Sequence, residues 1–250
     1  MEKNIIFNED CVGEKGMCII PDKSIDLILC DLPYAVTDCK WDTVIPYDLL
    51  WEQYHRIIKE KGAIVLTAIQ PFTTKLIMSN MRQFRYCWYW KKNAPTGFAF
   101  AKYQPMRIIE DILVFYKKAP KYNPQGLKKI EPKVKLRRNS GKDCIYKSST
   151  LSKEHIVEYS NYPKNILEFK KDRGLHPTQK PVALFEYLIK TYTDKGDTVL
   201  DNCIGSGTTA IACINTERKF IGFEKDKEYF RIATNRIREH AKKKGTVTAV

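Results

Sequence analysis

Five short runs in this chain are apolar without alternation: NIIF (4–7), IDLILC (25–30), AIVLTA (63–68), DTVLDNC (197–203) and KFIGFE (219–224). A strand with one wet face alternates polar and apolar residues, so continuous runs predict strands covered on both faces. Between several of them lie segments with apolar residues at helical spacing, at 47–60, 71–82, 181–193 and 207–218. Strand and helix in alternation predict an α/β fold, a doubly wound and mostly parallel sheet. FRYCWYW (84–90) and DILVFYK (111–117) have no helix between them and predict an antiparallel edge pair.

At 250 residues the chain is long enough for one large domain carrying an insertion. The insertion is visible as a change of texture over 117–175, where Lys and Arg take 16 positions against 6 for Asp and Glu, net +10 of the chain's +14. Tyr122, Tyr146, Tyr159, Tyr162 and Phe169 are interleaved with the basic residues, more aromatic content than a solvated tail carries. A folded, basic subdomain facing a polyanion is expected there.

Eight cysteines form no C-x-x-C pair and four histidines show no ligand spacing, so no metal site is expected. Cys30 and Cys203 sit in apolar runs, as free thiols do in a reducing compartment. The first residues, MEKNIIFNED, hold no long apolar segment, and no window approaches the 18 uncharged apolar residues of a membrane span. A soluble, cytoplasmic protein is expected.

Two strand ends carry chemistry. DTVLDNCIGSGTTA leaves a strand, passes Gly205 and Gly207, and opens a helix near Thr208. Glycines there let a ligand approach the backbone, although a tight strand-to-helix turn needs them for structural reasons too. Glu224, 19 residues beyond Gly205, could accept both hydroxyls of an adenosine ribose. That geometry serves dinucleotides and S-adenosylmethionine alike. The other strand end is Asp31-Leu32-Pro33-Tyr34, after IDLILC. Asp and Pro are ordinary turn residues. A chemical task also suits them: the amino group of a heteroaromatic base is a poor nucleophile until a carboxylate and a backbone carbonyl draw its hydrogens aside. Pro33 would fix the turn, and Tyr34 would offer a stacking face to an extruded base.

DLPY resembles the D-P-P-Y motif of DNA amino-methyltransferases, DNCIGSGTT looks like their cofactor loop, and HPTQKP (176–181) is similar to the segment preceding that loop. Their order matches the permuted, β-class members, and the resemblance covers roughly residues 5 to 240. It implies a Rossmann-like methyltransferase fold with a catalytic half at 1–116, a target-recognition insertion at 117–175 and a cofactor-binding half at 176–250. It further implies S-adenosylmethionine as cofactor, base flipping, and direct attack without a covalent enzyme intermediate.

By the same resemblance Asp31 and the Leu32 carbonyl hold the target amino group, beside Pro33 and Tyr34. Leu32 departs from the commoner proline and would act through its backbone. Aspartate at the first position resembles adenine-specific members, whereas serine is usual for the cytosine amino group. The cofactor set it implies is Asp10, Cys11, Asp31, His176, Thr178, Gln179, Lys180, Asp201, Asn202, Gly205, Gly207, Thr208, Glu224 and Lys225. Lys128, Lys129, Lys133, Lys135, Arg137 and Arg138 are the expected DNA contacts in the insertion. Double-stranded DNA is the expected partner, and a homodimer and a cognate restriction endonuclease are compatible with the resemblance. Three other readings share part of this pattern: a cytosine-N4 methyltransferase, a nicotinamide dehydrogenase and a non-catalytic DNA-binding module.

Overall fold

The computed structural model describes residues 3–35, 43–136, 154–172 and 179–245. It divides into two compact units, Met1–Asn123 with Asn165–Val250, and Pro124–Lys164. In the first, the strands are β1 (Ile5–Phe7), β2 (Ile25–Asp31), β3 (Ile58–Ala68), β4 (Phe84–Thr96), β5 (Arg107–Phe115), β8 (Ile166–Glu168), β9 (Thr198–Asp201) and β10 (Lys219–Phe223). Its helices are α1 (Tyr47–Ile57), α2 (Phe72–Ser79), α3 (Val182–Tyr192), α4 (Thr208–Thr216) and α5 (Lys227–Lys244).

The eight strands form one sheet in the order β1-β10-β9-β2-β3-β5-β4-β8. From β1 to β3 all neighbours are parallel, β5 runs antiparallel to β3 and β4, and β8 is parallel to β4. The expected antiparallel pair is present, but β8 covers β4, so β4 is not the edge. On β2, Leu27 and Leu29 face one core with Leu184, Phe185, Ile211 and Ile237 of α3, α4 and α5. Ile28 and Cys30 face the other, with Leu50, Trp51, Tyr54 and Leu76 of α1 and α2. All four β2 residues are fully buried, so the continuous apolar run has its cause in two covered faces. Each such side chain stabilises the fold by about 1.5–3 kcal/mol.

Trp88 and Trp90, on β4, are buried packing residues whose indole N–H groups donate to the Tyr192 hydroxyl at 2.6 Å and the Phe169 carbonyl at 2.9 Å. Helix α5 was not expected from periodicity, because its buried stripe is only Ala233, Ile237 and Ala241. Its ends are nonetheless written in the sequence. Asp226 accepts from the N–H groups of Glu228 and Tyr229, and Gly245 closes the helix in the left-handed region at φ 66°.

The second unit holds an antiparallel pair, β6 (Lys128–Leu136) with β7 (Glu154–Ser160). It is narrower than the 117–175 insertion of the sequence reading. Asn123 bonds to the carboxyl end of α3, and Ile166 to Glu168 join the main sheet beside β4. No described helix is long and apolar enough to cross a membrane.

Candidate active site

Between β9 and β2 the chain's winding reverses, since β9 leads through α4 to β10 on one side and β2 through α1 to β3 on the other. Ligands of open α/β sheets settle beyond the carboxyl ends of the strands at such a point. A cavity of about 270 Å³ lies there. Asp10, Cys11, Asp31, Leu32, Pro33, Tyr34, Gln179, Lys180, Asp201, Gly205, Thr208, Glu224 and Lys225 line it. Asn202 and Gly207 do not, and His176 and Thr178 lie outside the described residues.

The glycine loop is built around two carboxylates. Asp201, at the end of β9, accepts from the Cys203 N–H at 3.0 Å and from the Thr209 hydroxyl. Burial pushes its carboxyl up to about 6, although the bonds from Thr209 and Cys203 pull the other way. Glu224 follows β10, and one of its oxygens accepts from Gly205 N–H at 2.9 Å while the other accepts from Asp226 N–H at 2.9 Å. Each carboxylate oxygen has a second lone pair, so these bonds orient Glu224 and leave acceptor capacity toward the cavity. Burial raises its carboxyl above the ordinary glutamate range.

Asn202 serves the scaffold: its carbonyl oxygen accepts from the buried Tyr54 hydroxyl at 2.5 Å and its amide points at the Cys11 and Cys203 sulfurs. Gly207 serves it too, at φ 83°, where a Cβ would meet Ile237 of α5 at 3.3 Å. Cys30 is buried on the β2 side of this loop, and burial pushes its thiol up to about 12, so it remains protonated.

At the end of β2 both oxygens of Asp31 are engaged. Oδ1 accepts from the Tyr34 hydroxyl at 2.5 Å and from the Thr67 hydroxyl of β3, and Oδ2 pairs with Lys180 Nζ at 2.7 Å. The Tyr34 ring rests against Phe72 with centroids 5.0 Å apart, and Lys180 Nζ stands 5.6 Å from its centre. Burial and the Asp31 carboxylate raise the Tyr34 phenol far above its ordinary value, so it is a permanent donor. Leu32 is 4% exposed and packs into the core while also lining the cavity.

Sequence reasoning missed Thr67, which donates to Asp31, and the cavity wall formed by Glu9, Val44, Ile45, Ser206, Phe223 and Tyr229. Spacing gives no sign of them, because they come from six separate places in the chain. Ser206 lies inside the glycine motif, and its hydroxyl meets Gln179 at 3.2 Å. In the second unit, Lys128, Lys129 and Lys133 are exposed on β6, opposite β7. Lys135 pairs with His155 in register, and Arg137 and Arg138 lie outside the described residues.

The profile of a family described as DNA methylase matches residues 25–235. The type II methyltransferase M.HpaI of Haemophilus parainfluenzae is 28% identical over 236 residues, 89% of this chain and 71% of that protein. The DNA adenine methyltransferase YhdJ of Escherichia coli is 28% identical over 254 residues, 94% of this chain and 83% of the relative. Among solved structures, the M1.HpyAVI–SAM complex superposes with a TM-score of 0.63 at 25% identity, covering 93% of this chain and 98% of that one. The cytosine-N4-specific PvuII DNA methyltransferase shares the fold, with a TM-score of 0.68 at 15% identity over 97% of this chain and 93% of its own.

Proposed function

The chain belongs to the DNA methylase family, and from that premise we propose that it moves a methyl group from S-adenosylmethionine to the N6 amino group of adenine in duplex DNA. The observation that carries this reading is one cavity holding both Asp31, in the base-holding turn after β2, and Glu224, in the cofactor-type position after β10. The name of YhdJ supports adenine over the cytosine amino group.

The residues present suit the cofactor. Among the described residues five carboxylates line the cavity, Glu9, Asp10, Asp31, Asp201 and Glu224, against Lys180 and Lys225. Such a field favours a ribose and a sulfonium cation and opposes the pyrophosphate of a dinucleotide, which argues against a nicotinamide enzyme. Glu224 is the acceptor for the ribose hydroxyls, with Asp10 and Cys11 beside the adenine end and Gln179 and Lys180 beside the methionine end. When bound, S-adenosylmethionine supplies an electrophilic methyl group on a positively charged sulfur.

The chain's own task is to prepare the nucleophile. The flipped base presents its amino group to the Asp31 carboxylate and the Leu32 carbonyl, and two accepted hydrogen bonds favour a pyramidal nitrogen with its lone pair free. Pro33 holds the turn, and Tyr34 gives the base an aromatic neighbour. The proton leaves to water after transfer, when the product nitrogen is far more acidic. Residues 117–175, with the compact unit Pro124–Lys164 at their centre, supply phosphate contacts and site recognition. A homodimer and a cognate restriction endonuclease are compatible with this reading, and the type II name of M.HpaI supports the latter.

The test is to incubate the protein with duplex DNA and methyl-labelled cofactor and digest the product to nucleosides. Labelled N6-methyldeoxyadenosine is expected. Label in N4-methyldeoxycytidine would overturn the base assignment, and unlabelled DNA the reaction.

A further inference from the structure

Behind Asp31 runs a line of alternating charge that no motif anticipates. Lys180 Nζ stands 2.7 Å from Asp31 Oδ2 and 3.5 Å from Glu110 Oε2. Lys92 Nζ in turn stands 3.1 Å from Glu110 Oε1 and 3.1 Å from the Thr96 hydroxyl. Lys92 and Lys180 are 3% and 6% exposed, and Glu110 is largely covered. Glu110 Oε2 is enclosed and makes no hydrogen bond, so its ion-pair contact with Lys180 is what faces it among the described residues. Lys92 turns inward at an irregularity in β4, where pairing with β5 jumps from Lys91↔Ile109 to Thr96↔Arg107.

Taking two lysines and a glutamate out of water is costly, and apolar residues of similar shape generally support a fold as well. Stability alone does not account for these charges, but Asp31 has a use for them. Its Oδ1 is fixed by Tyr34 and Thr67, and a lysine caught between two carboxylates fixes Oδ2 from the other side. We propose that Glu110, anchored by Lys92, is a positioning residue for methyl transfer: it holds Lys180 against Asp31 and so fixes the plane of the carboxylate that receives the target amino group. This rests on the base-holding reading of Asp31. Burial alone would lower the Lys180 pKa, but Asp31 and then Glu110 outweigh it and raise it, which keeps the lysine a cation. The charged and titratable groups facing Lys180 are Asp31 from β2, Tyr34 from the following turn and Glu110 from β5, with Lys92 of β4 behind Glu110.

The test is Glu110→Gln in the full chain, read in two ways. Without cofactor, NMR of isotope-labelled lysine, with the Lys180 signal assigned by Lys180→Arg, should show its titration midpoint lowered by about half a pH unit or more. An unmoved midpoint overturns the proposal whatever turnover does. With cofactor and DNA, kcat should fall about 10-fold or more while both dissociation constants stay within about twofold, and Glu110→Asp should recover part of the loss. A kcat within about twofold of the parent, or a loss seen only in binding, overturns it. If Glu110→Gln does not fold, the paired Lys92→Met with Glu110→Gln removes one charge of each sign and is read by the same measurements. A parent protein that methylates no DNA would reject the proposed function, while the lysine titration would still decide the positioning role.

Discussion

Asp31 is the residue on which the proposed chemistry turns, and its surroundings say how it acts. Its Oδ1 is held by the Tyr34 and Thr67 hydroxyls and its Oδ2 by Lys180 Nζ at 2.7 Å, a fixed carboxylate suited to orienting the nucleophile. Asp31→Ala should therefore lower kcat about 100-fold or more and leave DNA affinity nearly unchanged, measured by single-turnover methylation and by DNA titration. Parent-like turnover would sink the mechanism. Leu32 makes the opposite case. Its side chain is buried while its proposed role belongs to its carbonyl, so Leu32→Ala should cost about 2–5 kcal/mol in urea unfolding yet leave kcat of the folded protein within about threefold. Asp31 to Tyr34 were legible in the sequence because four functional residues stand in a row at a strand end. Lys92 and Glu110 were not, because β4 and β5 bring them to Asp31 only after the sheet has formed.

At the scale of elements, the glycine loop has a pH dependence of its own. The Asp201 carboxyl is pushed by burial from 3.8 up to about 6, so the folded state binds this proton more tightly than the unfolded chain. Its contribution to stability is fully present below about pH 4 and is lost as pH rises through about 6, on the order of 2–3 kcal/mol in all. Asp201→Asn keeps an acceptor for the Cys203 N–H and can donate to the Thr209 hydroxyl. The variant should therefore gain stability relative to the parent between about pH 4 and 7, read from urea midpoints at each pH. A constant difference across that range would mean that Asp201 does not titrate there. Strands β2, β3, β9 and β10 were readable from their apolar runs because burial on both faces makes their central positions continuously apolar. Helix α5 escaped that reading, since one thin stripe of Ala233, Ile237 and Ala241 is all that it buries. Strands β6 and β7 escaped it as well, because exposed Val134, Ile156 and the lysines around them carry no apolar face.

At the scale of the whole molecule, the charge is divided as the work is. Among the charged residues lining the cavity of the sheet unit, five carboxylates stand against two lysines, whereas the unit Pro124–Lys164 carries ten Lys and Arg against four Asp and Glu. A cationic cofactor and a polyanionic substrate need opposite fields, and separate units let one chain present both. Binding to DNA through the basic unit releases counterions, so affinity must fall with salt in proportion to the phosphates met. Replacing Lys128, Lys129 and Lys133 together by alanine should make the plot of log affinity against log salt shallower by about 0.9 for each lysine that meets a phosphate. Methylation at saturating DNA should be retained, because none of the three lines the cavity. An unchanged slope would place the phosphate contacts elsewhere on the chain. A lost kcat with an unchanged slope would instead give the basic unit a part in the chemistry, which its distance along the chain from both motifs did not suggest.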